Sequence, residues 1–480
     1  MIMTQIHDLP GHRLAAMVRG RELSPVEIAE HFLRRVERLD PTYGSHIAVT
    51  AEIALEQARY AEKRVVDDTP DLLPPLLGVP VPVKDLDPVA GVRTTYGSRA
   101  LPHTVAAFDT HAAGRLRAAG ALLTGKTNTP ELGSSCYTEN GIAPPTRNPW
   151  NTALTPGGSS GGAAAAVAAR LAPIAHGTDG GGSVRIPASA CGLFGLKPTR
   201  GRVSAGPGRA DLAGLATAGF LTRTVADAAL VLDAVAGNLP GDQYTAPCPP
   251  PGPTFLGHTR RAPRRLRIGR YTEPGATDAP VHPHVRRAHD EATELLVELG
   301  HEVEEVPPPG DAHFGGTYFQ DFQVLWTAMA SAAPVAPERE HELGPLNRWL
   351  RARARSASAA DYIAAWARLQ RGVRSLAAAT APFDAVLSPT LALPPGPIGH
   401  LRSQGAAEEF RLMTEFAPFT SVYNVSGQPS VSLPLHWSPD GLPIGVMLTG
   451  RPGGEGTLLS LSAQLEQACP WAHHVPPGTD

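Results

Sequence analysis

Apolar residues recur at helical spacing at Ile28, Phe32, Val36 and Leu39, directly after Ser24-Pro25-Val26-Glu27. That tetrad reads as a capping box with proline at the first helical position, so an N-terminal helix is predicted, and residues 46–64 predict a second. Gly78 to Lys84 is an apolar run closed by a lysine and predicts a short strand. His111 to Gly120 predicts a helix and Ala121 to Thr124 a buried strand. The alanine-rich run Ala163 to Leu171 predicts a short buried helix, and Ala172 to Ala175 a brief buried strand whose proline suits an edge position. Thr224-Val225-Ala226-Asp227 caps a helix ending near Gly237. A strand at Leu266–Gly269, a helix over Val285–Leu299 and a strand at His301–Val306 predict a βαβ unit. Residues 316–375 read as mainly helical. Asp384–Pro389, Pro429–Pro434 and Pro443–Leu448 read as buried strands.

Composition narrows the class. The chain has 480 residues, 42% of them hydrophobic and 18% charged, which fits a globular protein with ample core. Glycine and proline number 49 each, predicting many loops and turns without the composition of disorder. Pro-rich residues 246–263 are the most linker-like stretch. A net charge of −3 argues against a nucleic-acid partner or a basic membrane surface. Cys136, Cys191, Cys248 and Cys469 are scattered without a CxxC, and there is no HExxH, so neither a disulfide framework nor a metal site is expected. Met1–Gly11 has no leader pattern and no run is long enough to span a membrane, so a cytoplasmic protein is expected.

Two glycine-embedded serine sites carry the candidate chemistry: Gly157-Gly158-Ser159-Ser160-Gly161-Gly162 and Gly177-Thr178-Asp179-Gly180-Gly181-Gly182-Ser183. A single Gly/Ser cluster is most simply a turn or a linker. Linkers do not enclose an apolar helix between two such clusters, nor end in Arg185-Ile186-Pro187. Three glycines before Ser183 leave backbone N–H groups bare to converge on an anion, and a serine beside such a nest suits acyl transfer. Lys84 closes an apolar strand. Burial there would disfavour the ammonium, and a neutral lysine can act as a base.

From Gly157 to Ala188 the chain resembles the amidase signature, GGSSGG followed by GTDxGGSxRxP, and Gly78–Asp85 is similar to that family's lysine motif. The resemblance extends through Gly125–Glu131, Arg147–Asn151, Gly195–Gly201 and Asn424–Pro429. Within the family it is similar to bacterial amidases of the 6-aminohexanoate-cyclic-dimer hydrolase type and to urethanases. It implies one domain over 1–480, an α/β fold with a large mixed twisted sheet covered by helices on both faces. Within it, 1–65 would supply N-terminal helices, 66–240 the core with the catalytic triad, 241–400 a substrate-lining helical region with the βαβ unit, and 401–480 the C-terminal part of the core sheet. The signature helix would lie buried near the sheet's centre.

The resemblance further implies Ser183 as nucleophile, Ser159 as a bridging serine after a cis peptide, and Lys84 as base, with an acyl-enzyme between two half-reactions. The N–H groups of Gly180, Gly181, Gly182 and Ser183 would form the oxyanion hole. Ser160, Thr178, Asp179 and Arg185 would support the reacting groups. Gly180 departs from the family, where larger residues are common, which would loosen the loop. Gly133, Ser134, Tyr137, Phe322 and Trp326 are the candidate substrate contacts. They point to small uncharged aryl or aliphatic amides, with carbamates and esters as further substrates, no cofactor, and a monomer or homodimer. Three alternatives stand beside this: an α/β-hydrolase elbow using Ser159, a glutamine-amidase subunit of a tRNA-dependent amidotransferase, and an inactive binding protein.

Overall fold

The computed structural model describes residues 5–101, 105–208, 211, 213–249 and 251–479. Of the N-terminal stretch read as leader-free, Met1–Thr4 lie outside them. The first predicted helix forms over Pro25–Tyr43, where the Ser24 hydroxyl accepts from the Val26 and Glu27 N–H groups. Ile28, Phe32 and Val36 are buried along one face. Gly44, in the left-handed region at φ 59°, ends the helix.

The helix expected over 46–64 begins later. His46–Val49 is a strand, and the helix is Ala51–Asp67. The strand exists because Gly125–Thr127 pairs with it antiparallel, a partner distant in sequence that local periodicity does not reveal. The strand expected at Ala121–Thr124 accordingly sits slightly further on, at Gly125–Thr127. Of the apolar run Gly78–Lys84, Val83–Lys84 forms a strand parallel to Lys126–Thr127, while Pro80 makes an isolated parallel bridge to Leu122. Pro80 and Pro82 lack the N–H a longer ladder needs. These three strands form a small sheet.

The large sheet has eight strands in the order Ile174–Asp179, Thr217–Thr222, Phe194–Lys197, Ser430–Trp437, Pro443–Gly450, Ala385–Pro389, Arg267–Arg270, Glu302–Glu305. The first five pairings are antiparallel and the last two parallel, so the sheet is mixed, as expected. The parallel end contains the βαβ unit, with Pro283–Glu298 as its helix. Helices pack on the sheet, and the main core combines residues from both.

All eight residues of the signature helix, Gly161–Ala168, are buried, but not at the centre of the sheet. The helix lies against Ile174–Asp179, the end strand of the large sheet, and against the small sheet. Its first two residues must be glycine for this fit: a Cβ on Gly161 would overlap Thr138, and one on Gly162 the backbone of Asn128. The α/β-hydrolase alternative fails here, since Thr155–Ser160 is irregular backbone and no strand runs into Ser159.

One half-buried acid makes stability depend on pH. Glu466, in the helix Glu455–Ala468, accepts from the Val225 N–H at 3.3 Å. Burial, helped by the charge of Asp227, pushes its carboxyl up to about 7 against the pull of that N–H. The folded state therefore binds a proton more tightly than the unfolded state. Its contribution is complete below the unfolded value of 4.5 and is lost as pH rises to about 7. Thermal unfolding followed at pH 5, 6 and 7 should show Tm falling across this window, and Glu466→Gln should flatten the fall.

Candidate active site

The two sheets meet at the candidate site. The His176 N–H donates to the Pro82 carbonyl at 3.0 Å, which sets Val83–Lys84 beside the strand carrying Thr178 and Asp179. Lys84 is fully buried. Its Nζ lies 2.7 Å from Ser159 Oγ, 2.9 Å from Ser160 Oγ, 3.1 Å from Thr178 Oγ1 and 3.4 Å from the Thr178 carbonyl. The Gly158–Ser159 peptide is cis. Thr138 holds this turn, donating through Oγ1 to the Gly157 carbonyl at 2.9 Å and accepting from the Gly161 N–H at 3.1 Å. The Ser160 N–H donates to the Ser183 carbonyl at 3.1 Å, tying the two serine motifs together.

Ser183 is 7% exposed and borders the cavity in front of the lysine. Its hydroxyl makes no hydrogen bond to protein among the described residues, so the link from Ser183 to Ser159 is not formed in this conformation. Catalytic hydrogen bonds of this kind often tighten only with substrate bound. The glycine nest is narrower than the sequence suggests. The Gly182 N–H donates to Asp179 Oδ1 at 2.7 Å, so it is not available to an oxyanion. Gly180, Gly181 and Ser183 keep N–H groups without a protein partner among the described residues. Gly182 sits at φ 130°, and a Cβ there would overlap Thr420.

Asp179 and Arg185 support this turn and are both wholly buried. Arg185 Nε donates to Oδ2 and Nη2 to Oδ1, each at 2.9 Å, while the Val184 N–H donates to Oδ2 at 3.1 Å. Burial opposes ionisation of Asp179, but the Arg185 charge and these hydrogen bonds hold its carboxyl well below the usual carboxylate range. Ser160 Oγ donates to the Thr178 carbonyl at 3.2 Å and so braces both the lysine and the strand end.

Several supporting residues were not singled out from sequence. Asn424 donates through Nδ2 to the Asp179 carbonyl at 2.8 Å and to Oδ1 at 2.9 Å. Lys126 Nζ lies 3.1 Å from Asp85 Oδ1 and donates to the Asp87 carbonyl at 2.8 Å, fixing the backbone after Lys84. Burial pushes Lys197 down to about 7, with the Arg185 charge adding to it. Asn424, Lys126 and Lys197 all lie in the motifs Asn424–Pro429, Gly125–Glu131 and Gly195–Gly201. The signal was present, but nothing in one sequence shows that these stretches converge.

A cavity of about 460 Å³ opens in front of Ser159 and Ser183, and Gly133, Ser134, Thr178, Gly180 and Trp326 also line it. A smaller space of about 60 Å³ adjoins it and includes Phe322 in its lining. Gly133 has φ 69°, and a Cβ there would stand 3.4 Å from Ser159 Oγ, so glycine keeps the approach to Ser159 open. Tyr137 lines neither space, correcting its assignment as a substrate contact. Its hydroxyl donates to the Glu409 carboxylate, and its ring is buried with Cys136, Phe410 and Met413. That carboxylate partner, far off in sequence, draws the side chain away from the cavity.

A profile of the family described as Amidase matches residues 27–459. The chain belongs to the amidase signature family. The protein AmiB2 of Mycobacterium tuberculosis (strain ATCC 25618 / H37Rv) is 40% identical over 467 residues, covering 96% of each chain. Among solved structures, 6-aminohexanoate cyclic dimer hydrolase complexed with substrate is similar at 32% identity and TM-score 0.89, covering 99% of this chain and 100% of the other. A bacterial aryl acylamidase of the amidase signature family is similar at 26% identity and TM-score 0.88, covering 99% of both chains. In this amidase no described helix is long and apolar enough to cross a membrane. Its described residues contain no group of three or more His, Cys, Asp or Glu side chains arranged to hold a metal ion.

Proposed function

We propose that this amidase cleaves C–N bonds of small uncharged aryl and aliphatic amides, together with carbamates and esters, through Ser183, Ser159 and Lys84. The observation that carries the reading is the buried Lys84 Nζ at 2.7 Å from Ser159 Oγ, beside a cavity that Ser183 also borders. Neutral Lys84 takes a proton from Ser159, which takes one from Ser183 as its Oγ attacks the carbonyl carbon. The oxyanion faces the N–H groups of Gly180, Gly181 and Ser183. As the C–N bond breaks, its electron pair leaves with nitrogen, and the proton returns from Lys84 through Ser159 to that nitrogen. Water then hydrolyses the ester on Ser183.

The cyclic dimer named for the neighbouring hydrolase is not carried over to this chain. The indole of Trp326 stands over Gly180 and Gly181 and limits the room at the reacting carbon. The reading includes a cytoplasmic location, which the four free cysteines support.

The test is hydrolysis of an anilide, a 4-nitrophenyl ester, an aryl carbamate and glutamine by the wild-type protein. Release of aniline from both anilide and carbamate, with glutamine a poor substrate, is the expected result. Carbamate left intact under conditions that cleave the anilide would remove carbamates from the substrate class. Glutamine cleavage raised by charged tRNA and partner subunits would favour the amidotransferase reading instead.

A further inference from the structure

The space around Ser183 is divided in two. Ser159, Thr178 and Gly180 line only the wide compartment of about 460 Å³. Ile186, Phe319, Phe322, Phe410 and Met413 line only the narrow one of about 60 Å³. Ser134, Ser183 and Trp326 border both. Trp326 is the large side chain among them and forms the dividing wall. Its Nε1 donates to the Ser134 carbonyl at 3.3 Å. Its ring stacks on Phe322 at 5.5 Å between centroids, and Phe322 on Tyr318 at 6.0 Å. The three rings follow one another every fourth residue along the helix Tyr318–Ser331, so they form one rigid ladder. A Cβ on Gly180 would lie 3.5 Å from the indole and one on Gly181 3.7 Å from it, which shows how closely the ring covers this turn.

We infer that the acyl half of the substrate occupies the narrow compartment and the leaving amine the wide one, with Trp326 setting the size of acyl group admitted. This assignment rests on the triad reading proposed above. When the C–N bond breaks, the nitrogen must receive a proton, and the donor is Ser159, recharged by Lys84. Ser159 borders the wide compartment and not the narrow one, so the nitrogen stands on the wide side. The carbonyl carbon is bonded to Ser183 Oγ, with its oxygen toward the Gly180, Gly181 and Ser183 N–H groups. The remaining substituent then points across Ser183 into the apolar slot. A slot of about 60 Å³ takes about four to six water-sized groups at roughly 10–15 Å³ each, and is well below the roughly 150 Å³ of a cavity that binds a benzene ring. Acetyl, propionyl and the methoxycarbonyl of a carbamate fit; a benzoyl or cyclohexanecarbonyl group exceeds it. The wide side admits aniline and larger diaryl amines.

The test measures kcat/KM on two substrate series. One holds 4-nitroaniline as the amine and varies the acyl group through acetyl, propionyl, benzoyl and cyclohexanecarbonyl. The other holds acetyl and varies the amine from aniline to 4-benzylaniline. For the wild type, kcat/KM should fall about ten-fold or more from acetyl to benzoyl, a discrimination of the size that pocket volume confers. Enlarging the amine should change it little. Trp326→Ala should abolish the acyl preference, and Met413→Ala, which shortens another side chain lining the slot, should relax it in the same direction. Met413→Ala carries the test if Trp326→Ala does not fold, as judged by its melting curve. A wild-type preference for benzoyl with losses as the amine grows would overturn the assignment alone. So would folded variants that keep the wild-type acyl profile. Absence of cleavage across both series would defeat the triad reading and this inference with it.

Discussion

Ser183→Ala should lower kcat for an anilide by roughly 10⁴-fold or more, with KM changed much less. Alanine removes the hydroxyl that borders both compartments and has no protein partner among the described residues, while the N–H groups of Gly180 and Gly181 remain in place. Binding survives and bond making does not, so the loss falls on kcat. Ser159→Ala and Lys84→Ala should each cost roughly 10²–10⁴-fold, because proton transfer slows while the nucleophile stays. Double variants should lose little more than the worse single one, as groups acting in one relay do. Lys84→Arg should not restore activity, since a guanidinium keeps its proton and cannot serve as base. Steady-state kinetics on variants with wild-type melting curves decide this. Full activity in Ser183→Ala would transfer the nucleophile's role to Ser159.

Asp179→Ala should produce the largest loss of stability in the site, about 3–5 kcal/mol. Arg185 is entirely enclosed, and both of its bonds to Asp179 are 2.9 Å long. Without the carboxylate a buried guanidinium loses its counter-charge, and the N–H groups of Gly182 and Val184 lose their acceptor. The turn that presents Ser183 should loosen, so activity falls with stability. Asp179→Asn retains one acceptor oxygen and should fall between the two. Urea unfolding with activity measured on the same samples tests the pair; an Asp179→Ala protein as stable as wild type would refute the role assigned to the carboxylate. The pH sign is opposite to that of Glu466. Because the folded carboxyl is held below its ordinary value, its stabilisation is complete at neutral pH and is lost only in acid.

The candidate reacting groups were legible because Ser159 and Ser183 sit in contiguous glycine-rich motifs, where backbone shape depends on the local residue types. The capped helices at Ser24 and Thr224 were legible for the same reason: their caps and apolar repeats lie within a few residues of one another. Where the reading of a strand and of a substrate contact failed, a distant partner had intervened. His46–Val49 became a strand because Gly125–Thr127 lay beside it. Tyr137 left the cavity because Glu409 offered its carboxylate. Gly182 is the exception: it left the anion nest for a partner only three residues earlier, because the turn folds its N–H back onto the Asp179 carboxylate.

The chain by itself therefore determined which residue types carry the chemistry, the family, and most helices and buried strands, since each depends on neighbours in sequence. Only the tertiary structure decided where the signature helix lies, which amides of the glycine turn stay free, and that Trp326 divides the space around Ser183. The helix position and the Trp326 wall depend on packing between segments far apart in sequence, and the free amides on how the turn folds Gly182 back onto Asp179. Contacts of that kind are chosen by shape and by the pairing of buried polar groups, which no local pattern encodes.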